Sequence, residues 1–311
     1  FKYGGERWIS RELTDIIQSQ VVDDIRATYE PQWVRRSLWD RNYGESRVPE
    51  VPSMLLELLS HQNLADMRYG LDPSFKLTVS RSIYKGILKF ISFVSGENYV
   101  VQPLPIEDFA STLDNNGNVT LTWSSREDPL EKSALAEGYV VYTRICDLDR
   151  AGKYDGEAEI GIDGFDNGVY CASPSFKMKL EAGKIYSFKV TAVNRGGESF
   201  PSEILSAGVS SKGAKTVMVV NDFDRVAAPI SFASADTVLG GFLDDIDAGV
   251  SYKRDISYIG KMYEFRRQAE FVNNDNAGFG ASYSDYETVV IAGNTFDYPL
   301  LHGASLLKAG Y

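Results

Sequence analysis

The stretch Leu180-Glu181-Ala182-Gly183-Lys184-Ile185-Tyr186-Ser187-Phe188-Lys189-Val190-Thr191-Ala192-Val193-Asn194 decides the reading of the central part of this chain. It sits in a region, ending near Ser210, where short alternating segments are separated by turn clusters. Two of those clusters are Asp114-Asn115-Asn116-Gly117-Asn118 and Asn194-Arg195-Gly196-Gly197. Short strands at such spacing predict an all-β sandwich over 106–210. Upstream, Val100-Val101-Gln102-Pro103-Leu104-Pro105 carries two prolines and reads as an extended linker, placed at 96–105. Downstream, Ser210-Ser211-Lys212-Gly213-Ala214-Lys215 marks a second change of composition.

Outside the sandwich the periodicity differs. Residues 11–25 repeat apolar positions at spacings of three and four, which predicts a helix with one buried stripe; a second such pattern runs from about Pro73 through Ile83, Ile87, Leu88 and Ile91. Between them Val51-Pro52-Ser53-Met54-Leu55-Leu56-Glu57-Leu58-Leu59 is a short apolar run that predicts a buried strand carrying one carboxylate. Helix, strand, helix predicts an α/β fragment over 1–95. Thr216-Val217-Met218-Val219-Val220-Asn221 and Thr288-Val289-Val290-Ile291-Ala292-Gly293-Asn294 read as parallel-type strands. They predict a second α/β fragment with a parallel sheet over 211–311. The expected fold class is therefore multidomain, an all-β sandwich between two α/β fragments.

A length of 311 residues suits two or three compact units, and a hydrophobic fraction of 43% is that of globular material. The formal charge of −11 argues against a nucleic-acid partner, whose phosphates call for clustered Lys and Arg. No run approaches the roughly 20 apolar residues of a membrane span, so no transmembrane segment is expected. The chain opens on Phe1-Lys2-Tyr3-Gly4-Gly5 rather than Met and reads as an interior piece of a longer polypeptide. The only cysteines, Cys146 and Cys171, both fall in the sandwich, where they either bridge or stand as two free thiols.

The sandwich segment resembles the fibronectin type III family. Val119-Thr120-Leu121-Thr122-Trp123 looks like its second strand with the core tryptophan, and Gly138-Tyr139-Val140-Val141-Tyr142-Thr143-Arg144 like its third. The stretch quoted at the outset is similar to the tyrosine-corner segment, which implies that Tyr186 bonds back to the chain near Leu180. Ser199-Phe200-Pro201-Ser202-Glu203 completes the match. Trp123 is expected in the core rather than as a sugar platform. Asp163 and Asp166, in an Asp- and Gly-rich insertion, read either as turn residues or as calcium ligands.

Pro52-Ser53-Met54-Leu55-Leu56-Glu57-Leu58-Leu59-Ser60-His61-Gln62-Asn63, with Asp66 and Ile83-Tyr84-Lys85-Gly86-Ile87 beyond it, resembles the carboxyl-terminal part of zinc-dependent N-acetylmuramoyl-L-alanine amidases. The resemblance implies a peptidoglycan amide hydrolase of the bacterial envelope or secreted fraction, with Glu57 as the carboxylate assisting a zinc-bound water. Glu45, Arg47 and Asn63 are the accompanying candidates for substrate contact. The family's His, Glu and His ligands lie upstream of the matching part, and this chain has only His61 and His302. Zinc is therefore expected in an intact parent only, and no metal ligand is assigned here. The implied partner is peptidoglycan or another cell-envelope glycan.

The last segment resembles flavodoxin-like or glutamine-amidotransferase-like domains. Asp222 and Asp224 lie just past its first strand and are its ligand candidates. It stops at Tyr311, soon after an expected mid-sheet strand, and reads as truncated. Two further functions stand beside the amidase: a polysaccharide-degrading enzyme of the type labelled xanthan lyase, and a non-catalytic glycan-binding or spacer assembly.

Overall fold

The structure is a computed structural model that describes residues 4–60, 63–148, 151, 164–210, 215–221, 231–236, 239–242, 250–251, 265–266, 291–292 and 298–311. The chain divides into two compact units, one of Phe1–Tyr99 with Asp224–Asn294, the other of Val100–Phe223 with Thr295–Tyr311.

Among the described residues, four helices organise the first unit: α1 (Gly4–Thr28), α2 (Gly44–Arg47), α3 (Leu64–Gly70) and α4 (Pro73–Ser95). The two predicted helices are thus present and longer than their apolar stripes. Helix α4 starts where a start is chemically favoured: Asp72 caps it by accepting from Ser74 N at 2.9 Å, and Pro73 fills its first turn. It stops at Gly96, whose φ of 76° takes the left-handed conformation that ends a helix. Ile17, Val21 and Ile25 of α1 bury against Phe75 and Val79 of α4, with Tyr29, Trp33 and Tyr69 closing the cluster. At Gly86 the helices meet so closely that an added Cβ would lie 2.9 Å from the Ile17 Cα.

The apolar run at 51–59 is not a strand. Its burial alternates as a strand's would, Met54, Leu56 and Leu58 half-buried, Val51, Leu55 and Glu57 exposed. No neighbouring strand among the described residues takes up its backbone groups, and without a partner an extended segment makes no sheet. The α/β expectation for 1–95 is corrected accordingly: its described residues are helical or irregular, with no strand.

Among the described residues of 211–311 no parallel strand pairing occurs. Residues 216–220 form no strand and are exposed. The remaining short strands, β9 (Ser231–Ala233), β10 (Leu239–Phe242), β11 (Val250–Ser251), β12 (Phe265–Arg266) and β13 (Ile291–Ala292), pair only antiparallel, in the orders β12-β10-β9 and β11-β13. Of the expected later strand, 288–294, only Ile291 and Ala292 lie within the described residues, and their partners are Ser251 and Val250.

The second unit is the β-sandwich. One sheet orders β1 (Glu107–Leu113), β2 (Asn118–Ser124) and β5 (Ser175–Lys179) side by side. The other runs β4 (Val169–Cys171), β3 (Gly138–Asp147), β6 (Lys184–Asn194) and β7 (Gly197–Glu198), with β8 (Leu205–Gly208) also on β6. Period-two alternation puts Tyr186, Phe188, Val190 and Ala192 of β6 into the core opposite Val119, Leu121 and Trp123 of β2. Trp123 is 5% exposed, which fixes it as a core residue. Tyr186 Oη accepts from Glu181 N at 3.2 Å, one residue beyond the expected contact point at Leu180.

Helix α5 (Tyr298–Ala309) belongs to this unit rather than to a third domain. Ile185 points away from the sandwich core, yet it is fully buried, because Leu300 and Ala304 of α5 cover it together with Ala151. Lys308 Nζ donates to Ala151 O at 3.1 Å. Strand β6 is therefore buried on both faces at Ile185 and Tyr186.

Candidate functional site

The site candidates of the first unit gather on a cavity of about 590 Å³ between α1 and the chain from 33 to 58. Its wall on the helix side comes from Trp8, Arg11, Thr14, Gln18, Val21 and Val22. Apart from the single turn of α2 the opposite wall has no regular structure, and side chains of α1 hold it in place. Gln18 Nε2 donates to Arg36 O at 3.0 Å, Arg26 Nε donates to Trp33 O at 2.8 Å, and Arg35 forms an ion pair with Asp15. Ser53 N donates to Ser10 Oγ at 3.3 Å and pins the other end.

Glu57 and Arg47 both line this cavity. Glu57 is exposed and takes part in no ion pair among the described residues, so its carboxylate is open to a ligand. Glu45, in the first turn of α2, is exposed and is not part of the lining. Asn63 is also outside it: its side chain accepts from Ala65 N at 2.9 Å and caps α3. Asp66, its neighbour in the same turn, accepts from Ser60 N at 2.8 Å. The two are helix-entry residues, a use that their spacing allows equally well.

Arg36, Trp39 and Arg41 are lining residues that were not among the candidates from the sequence. Arg36 and Arg41 each hold a guanidinium 5.3 Å from the centroid of the Trp39 ring, within cation–π range. All three line the cavity with Arg47. The signal was legible in Trp33-Val34-Arg35-Arg36-Ser37-Leu38-Trp39-Asp40-Arg41, where two tryptophans and three arginines fall in nine residues.

The other candidates lie elsewhere or outside the described residues. Asp222, Asp224, His61 and Asp163 are outside them. Asp166 accepts from Thr143 N and Gly168 N, both at 3.0 Å, and is spent in its turn. His302 lies on α5 of the second unit. No three His, Cys, Asp or Glu side chains among the described residues group so as to hold a metal ion. These residues do not fit a zinc centre, and Glu57 alone does not make one.

Cys146 and Cys171 are free thiols. Cys146 pairs with Ile185 and Cys171 with Tyr139, so they stand seven residues apart along β3. At a strand's rise that is about 23 Å, against the roughly 7 Å within which two Cα atoms can be bridged. The sheet register excludes the cross-link. Burial raises the Cys171 thiol pKa.

No family model matches the chain, and no curated protein is similar to it. Solved structures that overlay on part of it contain fibronectin type III domains. The twitchin kinase region from C. elegans is 19% identical with a TM-score of 0.28, covering 37% of this chain and 18% of its own. The fibronectin type III domain of human fibronectin type III domain containing protein 3 is 22% identical with a TM-score of 0.26, covering 36% of this chain and 90% of its own. The FN5 domain of Drosophila Lar is 16% identical with a TM-score of 0.23, covering 34% and 94%. This chain thus spans less than a fifth of the twitchin region. The strand order, the core tryptophan and the tyrosine corner of the second unit are themselves those of a fibronectin type III-like sandwich. Among the described residues no helix is long and apolar enough to cross a membrane.

Proposed function

We propose that this chain is part of a hydrolase of peptidoglycan-type amides, secreted or held in the cell envelope, whose substrate enters the cavity lined by Glu57. The observation that carries the reading is the meeting of Glu57 with Arg47 and the Arg36, Trp39 and Arg41 wall on one cavity. Its volume of about 590 Å³ suits a ligand of several groups. The resemblance of 52–63 to zinc-dependent amidases supports the same assignment. An open carboxylate beside an amide is positioned to accept a proton from an attacking water and return it to the leaving amine. The described residues supply no zinc ligands, so the roles assigned to this chain are substrate binding and proton handling.

The test is release of peptide from an N-acetylmuramoyl peptide by the native protein, with Glu57 and with Glu57→Gln. A carboxylate acting as acid and base predicts a loss of about 100-fold or more in turnover. Undiminished turnover in the variant overturns the reading.

For the second unit we infer a spacer role. What supports it is that its one tryptophan is in the core and that Asp166 accepts two backbone hydrogen bonds within its turn.

A further inference from the structure

Four arginines, Arg11, Arg36, Arg41 and Arg47, line the cavity of the first unit beside Asp40, Glu50 and Glu57. Among the described residues Arg36, Arg41 and Arg47 take part in no ion pair, whereas the adjacent Arg35 is paired with Asp15. Arg36 and Arg41 share one contact, the Trp39 ring, whose centroid lies 5.3 Å from each guanidinium, a contact that leaves their hydrogen-bond donors unconsumed. Gln18 fixes the backbone of this wall through Arg36 O, so the array is built on the rigid helix α1.

We infer that the Arg36, Trp39 and Arg41 wall is a subsite for a carboxylate-bearing acyl-peptide, which it binds by its terminal carboxylate. A guanidinium presents planar paired donors that match a carboxylate's two oxygens, and two of them neutralise it while the indole takes the neighbouring apolar group. Glu57, on the 51–58 side of the cavity, repels that carboxylate and favours the uncharged amide of the same ligand. The inference deepens the hydrolase reading and rests on it for the identity of the substrate, but not for the preference for a carboxylate.

The experiment is calorimetric or NMR titration of the whole chain with N-acetyl-alanyl-alanine, its C-terminal amide, inorganic phosphate and an N-acetylmuramoyl dipeptide. The free acid is expected to bind about tenfold or more tightly than the amide, and to weaken as salt is raised. Arg36→Gln with Arg41→Gln is expected to remove the preference, while Glu57→Gln keeps it. Arg41→Lys, which keeps the charge but not the planar fork, is expected to lose part of it.

Equal binding of acid and amide by the parent chain overturns the inference and needs no variant. So does phosphate binding more tightly than the carboxylate, or a preference that survives the double substitution in a variant whose circular dichroism matches the parent. If the acid is preferred but the muramoyl dipeptide gains nothing over the acetylated one, the subsite stands and the peptidoglycan substrate falls. If the muramoyl dipeptide binds with no dependence on the arginines, the subsite falls alone.

Discussion

Lys85 Nζ of α4 lies 2.8 Å from Asp24 Oδ2 of α1, and both side chains are buried, at 1% and 6% exposure. The pair is not isolated. Ser82 Oγ donates to the same oxygen at 2.6 Å, and Gln20 Nε2 donates to Asp24 Oδ1 at 2.9 Å. A buried carboxylate is thus met by one cation and two neutral donors, which is what makes its burial tolerable.

Replacing one member strands the other charge. Lys85→Met is expected to destabilise the first unit by about 3 to 5 kcal/mol, as is Asp24→Leu, whereas the two together cost much less than the sum. Urea unfolding of the single and double variants checks this; additive losses contradict it.

In the second unit the Tyr186 hydroxyl ties β6 to the preceding turn through Glu181 N. Tyr186→Phe keeps the buried ring and removes only that bond. The expected cost is about 1 kcal/mol, seen as a lower denaturation midpoint with an unchanged slope.

The turn from Asp114 to Asn118 carries a pH signature. Hydrogen bonds from the Asn118 side chain and backbone, with one from Asn116 N, hold the Asp114 pKa down to about 2. A folded-state pKa below the unfolded one contributes stability above the unfolded value near 4. That contribution is lost as pH falls through about 2. Asp114→Asn is therefore expected to be less stable than the parent at neutral pH and equal to it near pH 2. A difference between them that does not shrink on acidification contradicts this.

Both thiols are expected to react with a disulfide reagent in the unreduced protein, two equivalents per chain. Because burial raises its pKa, Cys171 carries less thiolate at neutral pH and should react more slowly than an exposed cysteine. Absence of free thiol before reduction contradicts the strand register.

The parts of the fold that the sequence disclosed are those whose signal is local. Helix α4 announces itself by Asp72, Pro73 and Gly96, and the sandwich by alternation, by Trp123 and by the tyrosine at 186. What stayed hidden depends on partners distant in sequence. Residues 51–59 have a strand's alternation, but only a neighbouring strand makes a sheet, and no pattern within the run tells whether one is there. Helix α5 was assigned elsewhere because nothing in its own residues names Ile185 as its seat. Of the candidate residues, Glu57 and Arg47 line the cavity, and Glu45 and Asn63 fall outside the lining. Arg36, Trp39 and Arg41 were missed, although their composition is distinctive, because an irregular segment offers no periodicity from which to infer a common face.

The account depends on substrate entering the cavity of the first unit. The most direct measurement is photo-crosslinking of an N-acetylmuramoyl peptide carrying a photoreactive group, followed by mass-spectrometric mapping of the labelled residues. Labelling within 33–58, competed by unlabelled muramoyl peptide and reduced by replacing Arg36 and Arg41, is the predicted result. Labelling confined to the β-sandwich, or none that the unlabelled ligand competes, would contradict it.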